Sequence, residues 1–136
     1  MYSIIARPFE IILFNAGISA GFPSPAADYA QKRIDLTQKL ILNTEATYLF
    51  RVAGDSMEGI GIYDGDTIIV DRAIVPASNN IVLAIVDEEF TVKRFFKRGQ
   101  VVRLLPENPK YKPMELREGQ ELRIWGVVTY NLRKLY

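Results

Sequence analysis

The chain has 136 residues, a formal net charge of +1 and neither cysteine nor histidine. One domain is therefore the expectation, and thiol nucleophiles, disulfides, Cys/His zinc sites and imidazole-based triads are excluded, leaving acid–base chemistry to Lys, Asp, Glu or Tyr. The charge is uneven: Met1 to Phe90 carries 6 basic and 12 acidic residues, whereas Thr91 to Lys112 carries 7 basic and 1 acidic, the pattern either of a surface that meets nucleic acid or an acidic partner or of a solvated strand pair.

In chain order, the head Met1 to Pro23 reads as a flexible arm. Arg7, Pro8 and Glu10 interrupt its apolar character and leave Ile11 to Phe14 as the one continuous run, too short for a secretory signal core of about 7–15 residues. No stretch approaches the roughly 20 apolar residues of a membrane span, so a cytoplasmic protein without a membrane partner is expected. Residues 24–43 read as an adaptor of one or two short helices: Ser24 can cap, Pro25 suits a first helical position, and Asp28 favours the positive end of the helix dipole. A break near Arg33 to Asp35 would start a second piece over Leu36 to Leu42.

Beyond Asn43 the residues turn β-branched and aromatic. TYLFRVAG, DTIIVDR, NIVLAIVD, EFTVKRFFK, QVVRLLPEN and ELRIWGVVTYNL are six candidate strands. They are separated by turn signals such as Tyr63-Asp64-Gly65-Asp66, Ser78-Asn79-Asn80, Asp87-Glu88-Glu89, Arg98-Gly99 and Glu118-Gly119-Gln120. Connections this short suit antiparallel pairing and leave no room for the crossovers of a parallel sheet. The fold class is mainly β: residues 24–136 form a compact, curved antiparallel β domain with the short helical adaptor at its start.

Two residues stand out for chemistry. Ser56 follows a strand that runs into Gly54, with Gly59 and Gly61 just beyond, a setting that can expose a hydroxyl and leave successive backbone N–H groups free for an oxyanion. Lys93 lies in the strand Glu89 to Phe96 and shares a face with Thr91 and Phe95. If it faces inward, desolvation lowers its pKa, and a neutral amine can take the proton of a serine, with Thr91 holding its orientation. An ordinary turn serine and a surface lysine are the plain alternatives for either residue taken alone. The acidic residues Asp55, Glu58, Asp64, Asp66 and Asp71 lack the regular spacing of a calcium loop, so neither metal nor cofactor is expected.

Taken together, Gly54-Asp55-Ser56-Met57, Phe90-Thr91-Val92-Lys93-Arg94 and an Ala20-Gly21 pair ahead of them resemble the self-cleaving Ser/Lys peptidase family that contains LexA and UmuD. The likeness continues through Gly21-Phe22-Pro23-Ser24-Pro25-Ala26-Ala27-Asp28-Tyr29, Asp64-Gly65-Asp66, Ile69-Val70-Asp71 and Gly126-Val127-Val128. It favours the UmuD branch, since too few residues precede Ala20 for a LexA-type helix-turn-helix domain. The resemblance implies a LexA C-terminal-domain-like fold with Ser56 as nucleophile and Lys93 as general base. It also implies a scissile bond between Ala20 and Gly21 and an oxyanion hole formed by the backbone N–H groups of Asp55 and Ser56. Implied partners are a second copy in a homodimer, the RecA filament on single-stranded DNA as the trigger, and a UmuC-like subunit of a translesion polymerase in the DNA-damage (SOS) response. The rival expectation is a non-catalytic dimeric β module with a vestigial dyad, its stripe Arg94, Lys97, Arg98 and Arg103 turned to DNA or an acidic protein.

Overall fold

A computed structural model describes residues 9–14, 17–18, 20–22, 31–116 and 120–136. The chain divides into two compact units, Met1–Leu42 and Asn43–Tyr136.

In the first unit, strand β1 (Glu10–Phe14) pairs antiparallel with β2 (Gln31–Asp35), setting Glu10 opposite Asp35 and Phe14 opposite Gln31. Helix α1 (Leu36–Leu40) follows directly. The Asp35 carboxylate accepts the Gln38 N–H at 3.2 Å as its N-cap, and the Ile41 N–H closes the last turn on the Thr37 carbonyl at 2.9 Å. The helical piece expected from Leu36 is thus present and ends at Leu40. Gln31 to Asp35, expected inside the helical adaptor, are strand instead. The register explains the difference: Ile34 sits opposite Ile11 and Arg33 opposite Ile12, and cross-strand pairing of β-branched residues overrides a weak local helical preference. The capping residues assigned to Ser24, Pro25 and Asp28 lie outside the described residues.

The second unit contains all six strands read from the sequence: β3 (Thr47–Arg51), β4 (Thr67–Asp71), β5 (Ile81–Val86), β6 (Glu89–Arg98), β7 (Val101–Leu105) and β9 (Leu122–Leu132). A two-residue strand, β8 (Met114–Glu115), adds an edge. Together they form one seven-stranded sheet of order β3-β4-β9-β5-β6-β7-β8, with antiparallel neighbours throughout. The β5–β6 hairpin turns on Asp87 and Glu88, both at positive φ (47° and 69°), and this double left-handed turn matches the twist of the strands it joins.

Two apolar clusters hold the sheet. One gathers Val52, Met57, Ile62, Ile68, Val70 and Leu83; the other gathers Val82, Ala84, Phe95, Leu104 and Val127. Val82 and Leu83 are neighbours on β5 yet serve different clusters, as strand alternation requires. Central β9 bends through two irregularities. Its pairing with β5 shifts between Leu83↔Gly126 and Ala84↔Ile124, which leaves Trp125 as the extra residue. The freed Trp125 ring stacks edge-on against Tyr48, Phe50 and Phe90, the re-aiming of a side chain that a bulge permits.

Candidate active site

Ser56 is held from both sides along the chain. Upstream, β3 ends in a turn fastened to the Asp64-Gly65-Asp66 loop: the Val52 N–H donates to the Asp66 carbonyl at 2.7 Å, the Gly65 N–H to the Val52 carbonyl at 2.8 Å, and the Gly54 N–H to the Asp64 carboxylate at 2.8 Å. Gly54 adopts φ 93°, a conformation that glycine reaches without penalty and that turns the chain sharply into Asp55 and Ser56. Downstream, Met57 is buried in the first apolar cluster, so the serine is anchored by a neighbour it cannot leave. Asp66 is itself locked. Buried, it accepts from Arg133 Nε at 2.8 Å and Nη2 at 2.6 Å, from Asn131 Nδ2 at 2.8 Å and from the Tyr63 N–H at 2.8 Å. The hydrogen bonds from Arg133 hold its carboxyl well below the usual carboxylate range, against the opposing pull of burial.

Lys93 rises from β6 directly opposite Val82. Its ammonium nitrogen lies 3.0 Å from Ser56 Oγ, 2.8 Å from Thr91 Oγ1 and 3.1 Å from the Val92 carbonyl oxygen. The three residues singled out in the sequence, Ser56, Lys93 and Thr91, therefore converge on one atom. Partial burial lowers the Lys93 pKa from its ordinary 10.5, since desolvation disfavours the charged amine. Of these three partners the Val92 carbonyl can only accept, whereas the Thr91 and Ser56 hydroxyls can each donate or accept, so a deprotonated amine at this position has a hydroxyl within reach of its lone pair.

The dyad opens on a cleft of about 230 Å³ with Phe50, Val52, Leu83 and Phe90 among its walls, side chains that help to desolvate the amine and so lower its pKa. Around Asp55 and Ser56, no acceptor among the described residues is paired with the N–H of Asp55, Ser56 or Met57. Sequence reasoning missed the loop after β7 that grips this turn. The Glu107 N–H donates to the Ser56 carbonyl at 2.7 Å, Asn108 Nδ2 donates to the Asp55 carbonyl at 2.9 Å, and the Tyr111 hydroxyl bonds the Asp55 carboxylate. The last contact raises the Tyr111 pKa. A signal was present in Pro106-Glu107-Asn108-Pro109, where two prolines bracket an asparagine, but nothing in the sequence names its spatial partner.

Two other features resolve structurally. Within the basic stripe, Arg94 is ion-paired with Glu107 and Arg103 with Glu115 at 2.8 Å, so half of the stripe is answered by the protein's own carboxylates. The acidic residues are dispersed rather than convergent: Asp55 meets Tyr111, Asp64 meets Gly54, Asp66 meets Arg133 and Asp71 meets Asn43. Among the described residues no group of three or more such side chains could hold a metal ion, and no helix is long and apolar enough to cross a membrane. Ala20 and Gly21 are exposed in the first unit.

The chain is similar to the protein SamA of Salmonella typhimurium, with 43% identity over 122 residues that cover 90% of this chain and 84% of SamA. It is also similar to the protein MucA of Escherichia coli, at 38% over 93% of this chain and 87% of MucA. The LexA repressor of Caldicellulosiruptor saccharolyticus is 40% identical over 87% of this chain, which spans 56% of that repressor. The profile of the Peptidase S24-like family matches residues 12–129, and the chain belongs to that family, in line with the LexA/UmuD-type resemblance of its sequence.

Proposed function

We propose that this protein is a serine endopeptidase that cuts its own chain between Ala20 and Gly21, with Ser56 as nucleophile and Lys93 as base. The observation that carries the reading is the 3.0 Å approach of Lys93 Nζ to Ser56 Oγ, within the reach a general base needs. Neutral Lys93 takes the Ser56 hydroxyl proton as Oγ attacks the Ala20 carbonyl carbon. The negative charge passes to the former carbonyl oxygen, where the N–H groups of Asp55 and Ser56 receive it. Collapse breaks the C–N bond, Lys93 returns the proton to the leaving Gly21 amine, and Ala20 is left as an ester on Ser56. Water then hydrolyses that ester, with Lys93 again the base. A substrate carried on the same chain or on a second copy is present at high effective concentration, so a modest catalyst suffices. The small Ala20-Gly21 pair suits an extended strand entering a narrow cleft.

The same reading gives the protein its setting in the DNA-damage response. A RecA filament on single-stranded DNA triggers the cut, and the product Gly21 to Tyr136 acts as a homodimer that joins a UmuC-like subunit of a translesion polymerase. The test is incubation of the intact chain at about pH 10, where the lowered Lys93 pKa favours the free amine, and at neutral pH with and without RecA filaments, followed by N-terminal sequencing. The expected new N-terminus is Gly21, absent in Ser56→Ala and in Lys93→Ala. A chain that stays intact at high pH would instead favour a binding module with a silent dyad.

A further inference from the structure

The connection between β7 and β8 grips the nucleophile turn by its carbonyls. Glu107 N–H takes the Ser56 carbonyl at 2.7 Å, while Gly59 N–H donates back to the Glu107 carbonyl at 2.6 Å. One residue on, Asn108 Nδ2 takes the Asp55 carbonyl at 2.9 Å, its amide oriented by the Lys110 N–H that donates to Oδ1 at 3.0 Å. The grip is anchored on the base's own strand, because Arg94, next to Lys93, is ion-paired with Glu107 and also donates through Nη1 to the Asn79 carbonyl at 2.7 Å.

A trans peptide unit is planar, with its C=O and N–H pointing in opposite directions. The Asp55 carbonyl accepts a longer 3.3 Å bond from the Glu58 N–H and the shorter 2.9 Å bond from Asn108; the hold on Asn108 therefore aims the Ser56 N–H away from the clamp, and holding the Ser56 carbonyl on Glu107 does the same for the Met57 N–H. Those N–H groups donate to nothing among the described residues. They are free donors of fixed direction beside a hydroxyl nucleophile, the preorganisation that oxyanion stabilisation requires.

We infer that Asn108 is a positioning residue: it orients the Asp55–Ser56 peptide so that the Ser56 N–H meets the oxyanion, acting through the backbone and touching no reacting atom. The inference rests on the Ser56/Lys93 reading. It separates two effects that simple loosening would blend, since Asn108 governs the aim of the donor while burial of Lys93 governs the titration of the base.

The experiment uses the full chain and the variant Asn108→Leu, which is close in size, adds no charge beside Lys93 and loses the donor. First-order self-cleavage is followed from about pH 7 to about pH 11, so that a plateau rate and a pH midpoint are both read. The expected plateau is lower by about 10-fold or more, on the scale of the ~10²–10³-fold loss for deleting an oxyanion donor, with the pH midpoint and the melting temperature retained. If Asn108→Leu does not melt cooperatively, Asn108→Ser, which is smaller and too short to reach the Asp55 carbonyl, is read by the same criteria. A plateau within about 3-fold of wild type overturns the inference, and so does a fall accompanied by a moved midpoint, since that marks a slackened site as a whole. Wild type and Ser56→Ala run alongside. Wild type that never cuts, or Ser56→Ala that does, sinks the dyad and this inference with it. Cleaving wild type, inert Ser56→Ala and full-rate Asn108→Leu sink only the positioning role.

Discussion

Gly59→Ala is the sharpest single perturbation of the nucleophile turn. A Cβ at Gly59 would lie well under 3.0 Å from the Glu107 carbonyl oxygen, closer than real contacts allow. The obstacle is backbone, and it cannot retreat without stretching both the Gly59 N–H bond to Glu107 (2.6 Å) and the Glu107 N–H bond to Ser56 (2.7 Å). Weakening two hydrogen bonds costs about 1 kcal/mol each, and the forced displacement adds about 1–3 kcal/mol. Removing a glycine from the unfolded chain returns about 0.5 kcal/mol. The net, about 3 kcal/mol, lowers the melting temperature of a domain this size by roughly 10–20 °C. Because the shifted atoms carry Ser56, self-cleavage should fall by about 10²-fold, the effect of a displacement near 1 Å. Thermal unfolding by circular dichroism in a Ser56→Ala background measures the first quantity, and the cleavage rate at high pH measures the second. Gly61→Ala is the control: its Cβ meets nothing within 4 Å, and only its φ of 85° resists, so a smaller loss of about 1–2 kcal/mol is expected. A Gly59→Ala chain melting within about 2 °C of its parent would refute the steric argument.

Three further outcomes are expected. The self-cleavage rate of the wild-type chain rises with pH and reaches half its plateau below 10.5, the ordinary lysine value from which Lys93 is lowered; a midpoint at or above that value would contradict a desolvated base. Lys93→Met, measured by thermal melting in the Ser56→Ala background, raises stability at neutral pH. Here the folded pKa lies below the unfolded one, so protonation favours unfolding. That handicap of the lysine chain fades as pH rises through the lowered pKa toward 10.5, and the two melting curves should converge there; a variant less stable at neutral pH would count against it. Arg133→Ala moves acid unfolding to higher pH. The Asp66 carboxyl is depressed in the folded state chiefly by Arg133, so its stabilisation is present above 3.8 and disappears as pH falls below; an unshifted acid midpoint would show that Arg133 does not hold it.

The six body strands were legible because each is a β-branched or aromatic run closed by a turn signal, and alternation correctly put Thr91 and Lys93 on one face of β6, where their side chains bond at 2.8 Å. Gln31 to Asp35 misled because QKRID has no strand signature of its own; its conformation comes from the partner strand EIILF. The bulge that frees Trp125 was equally invisible, since a one-residue slip leaves no mark on local composition.

For the site, composition alone removed thiol nucleophiles and imidazole bases and left acid–base chemistry to lysine, carboxylate or tyrosine; local pattern singled out Ser56 and Lys93, and the family resemblance implied their roles as nucleophile and base. The 3.0 Å approach of the two side chains across 37 residues, the burial that lowers the amine's pKa, and the grip of Glu107 and Asn108 on the turn were decided by tertiary structure. Distance and desolvation belong to atoms brought together by the sheet, and a linear order of residues carries neither.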